Sequence, residues 1–108
     1  MSVIAKLLRQ GNYVDFRAVN QAALPLLPSL IRKWAPDGKR CGREYVAINP
    51  TRADLHPGSF SVNLVSGAWA DFATGDRGGD VISLAAYVFR CRQIEAARIL
   101  STILGVRL

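Results

Sequence analysis

The clearest pattern in the chain is a period of two over residues 59–64, where small polar residues (Ser59, Ser61, Asn63) alternate with large apolar ones (Phe60, Val62, Leu64). That alternation predicts a half-buried strand. The turn signal Ser66-Gly67 separates it from a second apolar run over residues 68–72, so the two read as a hairpin. Gly75-Asp76-Arg77-Gly78-Gly79-Asp80 then breaks the strand, and the period changes to that of a helix. Val81, Leu84, Ala85 and Val88 form its buried stripe, which Ile82 and Phe89 widen, and Asp80 is its predicted N-cap. After a break at Arg90-Cys91-Arg92, a second helix is predicted over residues 93–104. Ala96, Ala97, Leu100, Ile103 and Leu104 would face inward, with Gly105 as the stop. The two helices read as a hairpin that covers one face of the small sheet.

Upstream, Ile4, Leu7 and Leu8 offer a short amphipathic turn. Asp15 caps a predicted helix through Phe16, Val19, Ala22 and Ala23, which Pro25 ends. A second short helix has Pro28 in its first turn, where a missing N–H costs nothing, and Leu27, Leu30, Ile31 and Trp34 as its stripe. Pro36-Asp37-Gly38 closes it, and residues 44–48 (EYVAI) read as another strand. The expected architecture is one α+β domain over residues 1–108. A helical extension (1–43) precedes a small antiparallel sheet (44–73), then a glycine loop and helical hairpin (74–108).

Half of the 108 residues are hydrophobic, enough for a modest core. No apolar run reaches the roughly 18 residues that span a bilayer, and the N-terminus has no signal-peptide cleavage pattern, so a cytoplasmic location without membrane contact is expected. Cys41 and Cys91 lack any Cys-x-x-Cys spacing and read as free thiols. The formal charge of +6 and a sequence pI of about 10.0 favour a polyanionic partner. Basic residues crowd between Arg32 and Arg43: Arg32, Lys33, Lys39, Arg40 and Arg43, offset only by Asp37. They read either as a solvated loop or as a phosphate-contacting patch.

Catalytic constellations are thin. There is no nucleophile elbow and no phosphate loop ending in Lys-Ser/Thr, and His56 is a lone histidine beside a proline in a polar loop. Asp71 with Asp76 leaves open a two-carboxylate magnesium site, and with it a metal-dependent nuclease or phosphotransferase. Asp80 has a capping role, however, and Asp76 sits in turn chemistry. The glycines before the helix have two readings. They supply positive φ for a sharp strand-to-helix turn, or their amides together with Arg77 approach a phosphate.

Ser59-Phe60-Ser61-Val62, the turn, Trp69, Phe72, Gly75 and Gly78-Gly79-Asp80 before an apolar helix resemble the N-terminal zinc-binding (zinc-ribbon) domain of bacterial and phage DNA primases. The resemblance runs from Tyr45 to Gly105. In that family a Cys-x-x-His pair precedes the first strand, and a Cys-x-x-Cys pair sits beside the aromatic of the second. Here those positions fall on Pro50, Ala53, Asp71 and Thr74, none of them cysteine or histidine. Tetrahedral zinc needs four N or S donors, so the chain resembles a zinc ribbon without its zinc, and no metal or cofactor is expected. The phrase GREYVAINPTRAD is similar to a zinc-less subgroup in primase-like proteins of plasmids and mobile elements. The N-terminal helices would then enlarge the core in place of the metal.

The resemblance implies a non-catalytic module that binds template DNA, single strands favoured, at the front of a longer primase or primase-helicase whose catalytic carboxylates lie in a later domain. The residues expected to touch DNA are Lys39, Arg40, Arg43, Arg52 and Arg77, through phosphates, and Trp69, through stacking on a base if it is not in the core. The alternative is a protein-interaction module that docks a helicase or other replication protein.

Overall fold

The computed structural model describes residues 14–52 and 59–105. The expected amphipathic turn at Ile4, Leu7 and Leu8, and the positions of Ala53 and His56, lie outside them.

Asp15 stands in extended backbone and its carboxylate accepts the Ala18 N–H, starting α1 (Phe16–Ala23). The chain tightens into a 3₁₀ turn at Leu24–Leu26, where Pro25 sits, and continues as α2 (Leu27–Trp34) with Pro28 in its first turn. Val19, Ala23, Leu27, Leu30 and Ile31 are buried, which makes the helical stripe of the sequence one wall of the core. The Tyr45 hydroxyl donates 2.6 Å to the carbonyl of Ala35 and pins the end of α2 to the sheet.

Five strands follow: β1 (Lys39–Cys41), β2 (Glu44–Ala47), β3 (Phe60–Asn63), β4 (Trp69–Asp71) and β5 (Arg77–Gly78). They form one antiparallel sheet in the order β1-β2-β3-β4-β5, so every strand pairs with its neighbour in sequence. The expected α+β class with a small antiparallel sheet is the one observed. Two boundaries differ. The helical extension to residue 43 stops at α2, because Lys39–Cys41 is an edge strand exposed along its whole length, so it carries no apolar alternation to read. The glycine loop contains β5, a second edge.

Tyr45, Ala47, Phe60, Val62, Trp69 and Asp71 point to the inner face of the sheet. Against it lies α3 (Val81–Phe89): Tyr87 meets Trp69 at a ring separation of 4.4 Å and stacks on Phe60 at 6.3 Å. The hairpin partner, α4 (Gln93–Leu104), packs on α3 and α1. It is therefore α3 whose rings meet the sheet. In α4 the buried stripe is Ala96, Ala97, Leu100 and Ser101, with Leu104 partly buried. Ile103, expected inside, lies on the flank of that stripe and is exposed.

Asp80 caps α3 as predicted: its carboxylate accepts the Ser83 N–H at 2.8 Å, and the Ser83 hydroxyl turns back to residue 80. From α1, Asn20 Oδ1 accepts the Ile82 N–H at 3.0 Å. Both bonds satisfy donors that a helix start leaves orphaned. Asp80→Ala is expected to cost about 1 kcal/mol, read as a lower urea midpoint with an unchanged slope. Among the described residues no helix is long and apolar enough to cross a membrane.

Candidate nucleic-acid interface

The outer face of the sheet follows from the register. Lys39 pairs with Val46, Val46 with Ser61, Ser61 with Ala70, and Ala70 with Arg77. Cross-strand partners share a face, so these five side chains form one row across the sheet. Four strand spacings make it about 19 Å long. A cation stands at each end, with small residues in the middle. Two positions on from Ala70, just past the end of β4 and on the same side, is Phe72, whose amide bonds the Ser59 carbonyl and which is 75% exposed. Phe72 and Ala70 help to line a shallow depression of about 220 Å³. The acid on this face, Glu44, accepts a 2.7 Å bond from the Ser61 hydroxyl.

The aromatic platform expected at Trp69 is corrected here. Trp69 points inward and is 6% exposed, with its indole N–H donating 3.0 Å to Ser83 Oγ. Its ring packs against Phe60 and Tyr87. On the outer face of the sheet it is Phe72 that solvent reaches. The alternation along β4 carries that signal: with Trp69 and Asp71 on one side, Ala70 and Phe72 fall on the other.

The six residues expected to touch DNA are not brought together in one patch. Lys39, Arg40 and Arg43 lie on the β1–β2 hairpin at one edge, with Arg40 on the Tyr45 side and its Nε donating to the Gly42 carbonyl. Arg77 lies at the opposite edge and makes no ion pair among the described residues.

Arg52 is drawn into a buried polar network. Its Nη2 meets Asp71 Oδ2 at 2.7 Å, and Asp71 is fully buried. The same oxygen accepts from Asn49 Nδ2 at 2.6 Å, while Asp71 Oδ1 takes the Ala73 N–H at 2.8 Å. Asn49, also fully buried, gives its other proton to the Tyr87 hydroxyl at 2.9 Å and accepts from the Thr51 amide and hydroxyl. Tyr87 then donates to Asp76 Oδ2 at 2.8 Å. Among the described residues, no buried side-chain nitrogen or oxygen lacks a partner. Burial alone would raise the Asp71 carboxyl; the bonds from Asn49 and the Ala73 amide, with the Arg52 charge, outweigh it and hold the group below its usual value of 3.8.

These bonds test the metal readings. Of the four family zinc positions, Pro50 is an exposed turn residue and Thr74 Oγ1 accepts the Asp76 N–H, while Asp71 has both oxygens occupied by protein donors. Among the described residues no three His, Cys, Asp or Glu side chains group to hold a metal ion. The donor set does not fit tetrahedral zinc. Both Asp71 oxygens are held by Asn49, Arg52 and the Ala73 amide, where a magnesium pair with Asp76 would need one of them free.

Of the two readings of the glycines before α3, the backbone conformation tests the one based on positive φ. Gly78 and Gly79 are not at positive φ; the left-handed glycine of this loop is Gly75, at φ 82°. Gly78 is needed for space, since a Cβ there would lie 2.4 Å from both Trp69 Nε1 and Ser83 Oγ.

Sequence reasoning did not single out Arg90, Arg92 or Tyr87, which the fold brings beside Arg52 and Arg77. Arg90 ends α3 in the left-handed conformation, at φ 55°, and its guanidinium donates to the Thr51 carbonyl. Such a conformation is uncommon for a residue with a Cβ. Cys91 lies next to it, its thiol pushed up by burial and then by the Glu95 charge, so it stays protonated at neutral pH.

No protein-family model matches this chain, and no curated protein matches it.

Proposed function

We propose that this domain binds single-stranded DNA on the outer face of its sheet, as a non-catalytic, metal-free module of a primase or primase-helicase. The observation that carries the reading is Phe72, 75% exposed on a face whose cross-strand row ends in Lys39 and Arg77. Binders of single strands combine cationic backbone contacts with an aromatic surface on which a base stacks, and small residues such as Ser61 and Ala70 let the strand approach. The primase assignment rests on the resemblance over residues 45–105, and the net charge of +6 is consistent with a polyanion.

The test is an anisotropy titration of labelled single-stranded DNA, with duplex and RNA controls, at two salt concentrations. Phe72→Ala is expected to weaken single-strand binding about tenfold, since stacking contributes about 1–3 kcal/mol per base. Unchanged affinity would remove the platform. A second reading, a protein-docking module, draws on Ile99 and Ile103, exposed one turn apart on α4. Binding of a helicase with little salt dependence, lost in Ile103→Ser but kept in Phe72→Ala, would favour it.

A further inference from the structure

Beyond the sheet edge, two adjoining clefts of about 790 and 550 Å³ share a wall of Asp76, Ala86, Tyr87, Cys91 and Arg92. Together they form an open groove between β5 and the α3–α4 elbow. One end carries Arg77, the other Arg90, and Arg92 stands on the shared wall. Of the two acids in this groove, Asp76 and Glu95, only Glu95 is ion-paired among the described residues, with Arg92. Asp76 accepts from the Tyr87 hydroxyl, and Glu95 accepts both the Arg92 N–H and its Nε at 3.1 Å. Arg77 and Arg90, by contrast, make no ion pair among the described residues. Arg90 bonds only a neutral carbonyl, so its charge is held in place without being cancelled. Arg77 belongs both to this groove and to the end of the outer-face row.

We infer that the bound strand does not stop at the sheet but turns over β5 at Arg77 and continues along this groove, its phosphates met by Arg77, Arg92 and Arg90. This inference rests on the sheet-face reading above and extends it to a longer site. A guanidinium fixed by one bond still has donors free for a phosphate, and holding it in advance lowers the ordering cost of binding. Tyr87 and Cys91 give the groove a partly apolar floor against which sugars and bases can lie.

Arg90 is the probe, because glycine suits its left-handed backbone, and the change removes the guanidinium together with its bond to the Thr51 carbonyl. The experiment compares oligonucleotides of about 5 and about 12 nucleotides on the wild type, Arg90→Gly and Arg90→Gly/Arg92→Gln. Circular dichroism melting monitors folding. Expected is a loss of about tenfold for the long strand with the double variant, its salt slope falling by about 1.4, and unchanged affinity for the short strand. Equal affinity of wild type and variants for the long strand would overturn the continuation, as would an equal loss for both lengths. Phe72→Ala on the short strand separates the two readings. If it weakens binding while the groove variants do nothing, only the continuation falls; if it has no effect, the sheet reading falls and takes the continuation with it.

Discussion

Asp71→Asn is expected to destabilise the domain by about 3 kcal/mol and to lower its melting temperature by about 15 °C. The carboxylate is fully buried, and one oxygen receives both Asn49 Nδ2 and Arg52 Nη2. An amide nitrogen at that oxygen would face two donors with a third, and turning the amide would set it against the Ala73 N–H instead. The Arg52 side chain is 35% exposed and can turn toward water, which keeps the cost at the lower end for a broken buried pair. The loss spreads because the network joins the turn after β2, the turn after β4 and the last turn of α3 through Tyr87.

The pH dependence follows from the direction of the Asp71 shift. Its folded value lies below 3.8, so its contribution is complete above the unfolded value and is lost as pH falls through the lower folded value. The stability difference between wild type and Asp71→Asn is therefore expected to stay constant from pH 8 to about pH 5 and to shrink only below about pH 4. Denaturant midpoints across that range measure it; a difference that shrank already near pH 6 would point to another group. A chelator is expected to leave the wild-type melting temperature unchanged, since Asn49, Arg52 and Tyr87 tie the two turns together through protein bonds.

Gly78→Ala is expected to cost about 2–3 kcal/mol. The added methyl would meet the indole nitrogen of Trp69 and the hydroxyl of Ser83 at 2.4 Å, and neither atom moves freely. The two bond each other, and Ser83 also closes the cap of α3. Relief requires breaking the indole bond or parting β5 from β4. Chemical unfolding reads the loss directly, and Gly79→Ala, whose Cβ would meet nothing within 4 Å, is the control. Equal effects at the two positions would show that backbone freedom, and not space, selects glycine there.

The sequence was most legible where one side of an element is apolar. Residues 60–63 alternate and form β3 as read, and Asp15 and Asp80 cap the helices that follow them. It was least legible where a residue's partner lies far along the chain. Asp71 reads as one acid of an open magnesium pair with Asp76, and its buried structural role shows only once Asn49, twenty-two residues earlier, is placed against it. β1 carries no apolar residue to betray it except Cys41, because nothing covers either side of it. Trp69 invited the platform role through its size, yet size is also why it fills the core, and the smaller aromatic was left outside. Arg90 and Arg92 read as a break between helices; their closeness to Arg77 depends on how the helical hairpin sits on the sheet.

The strand order carries a kinetic consequence. Each strand pairs with the one before it, so the sheet can grow from local closures, and such topologies fold quickly. The contact of α1 with α3 is of another kind: Asn20 waits for Ile82, sixty-two residues away. Closing that loop costs more entropy than any strand pairing, and it repays only once α3 exists. During synthesis α1 emerges before the other described elements, and its bond to α3 has to wait until the chain has been made past Ile82.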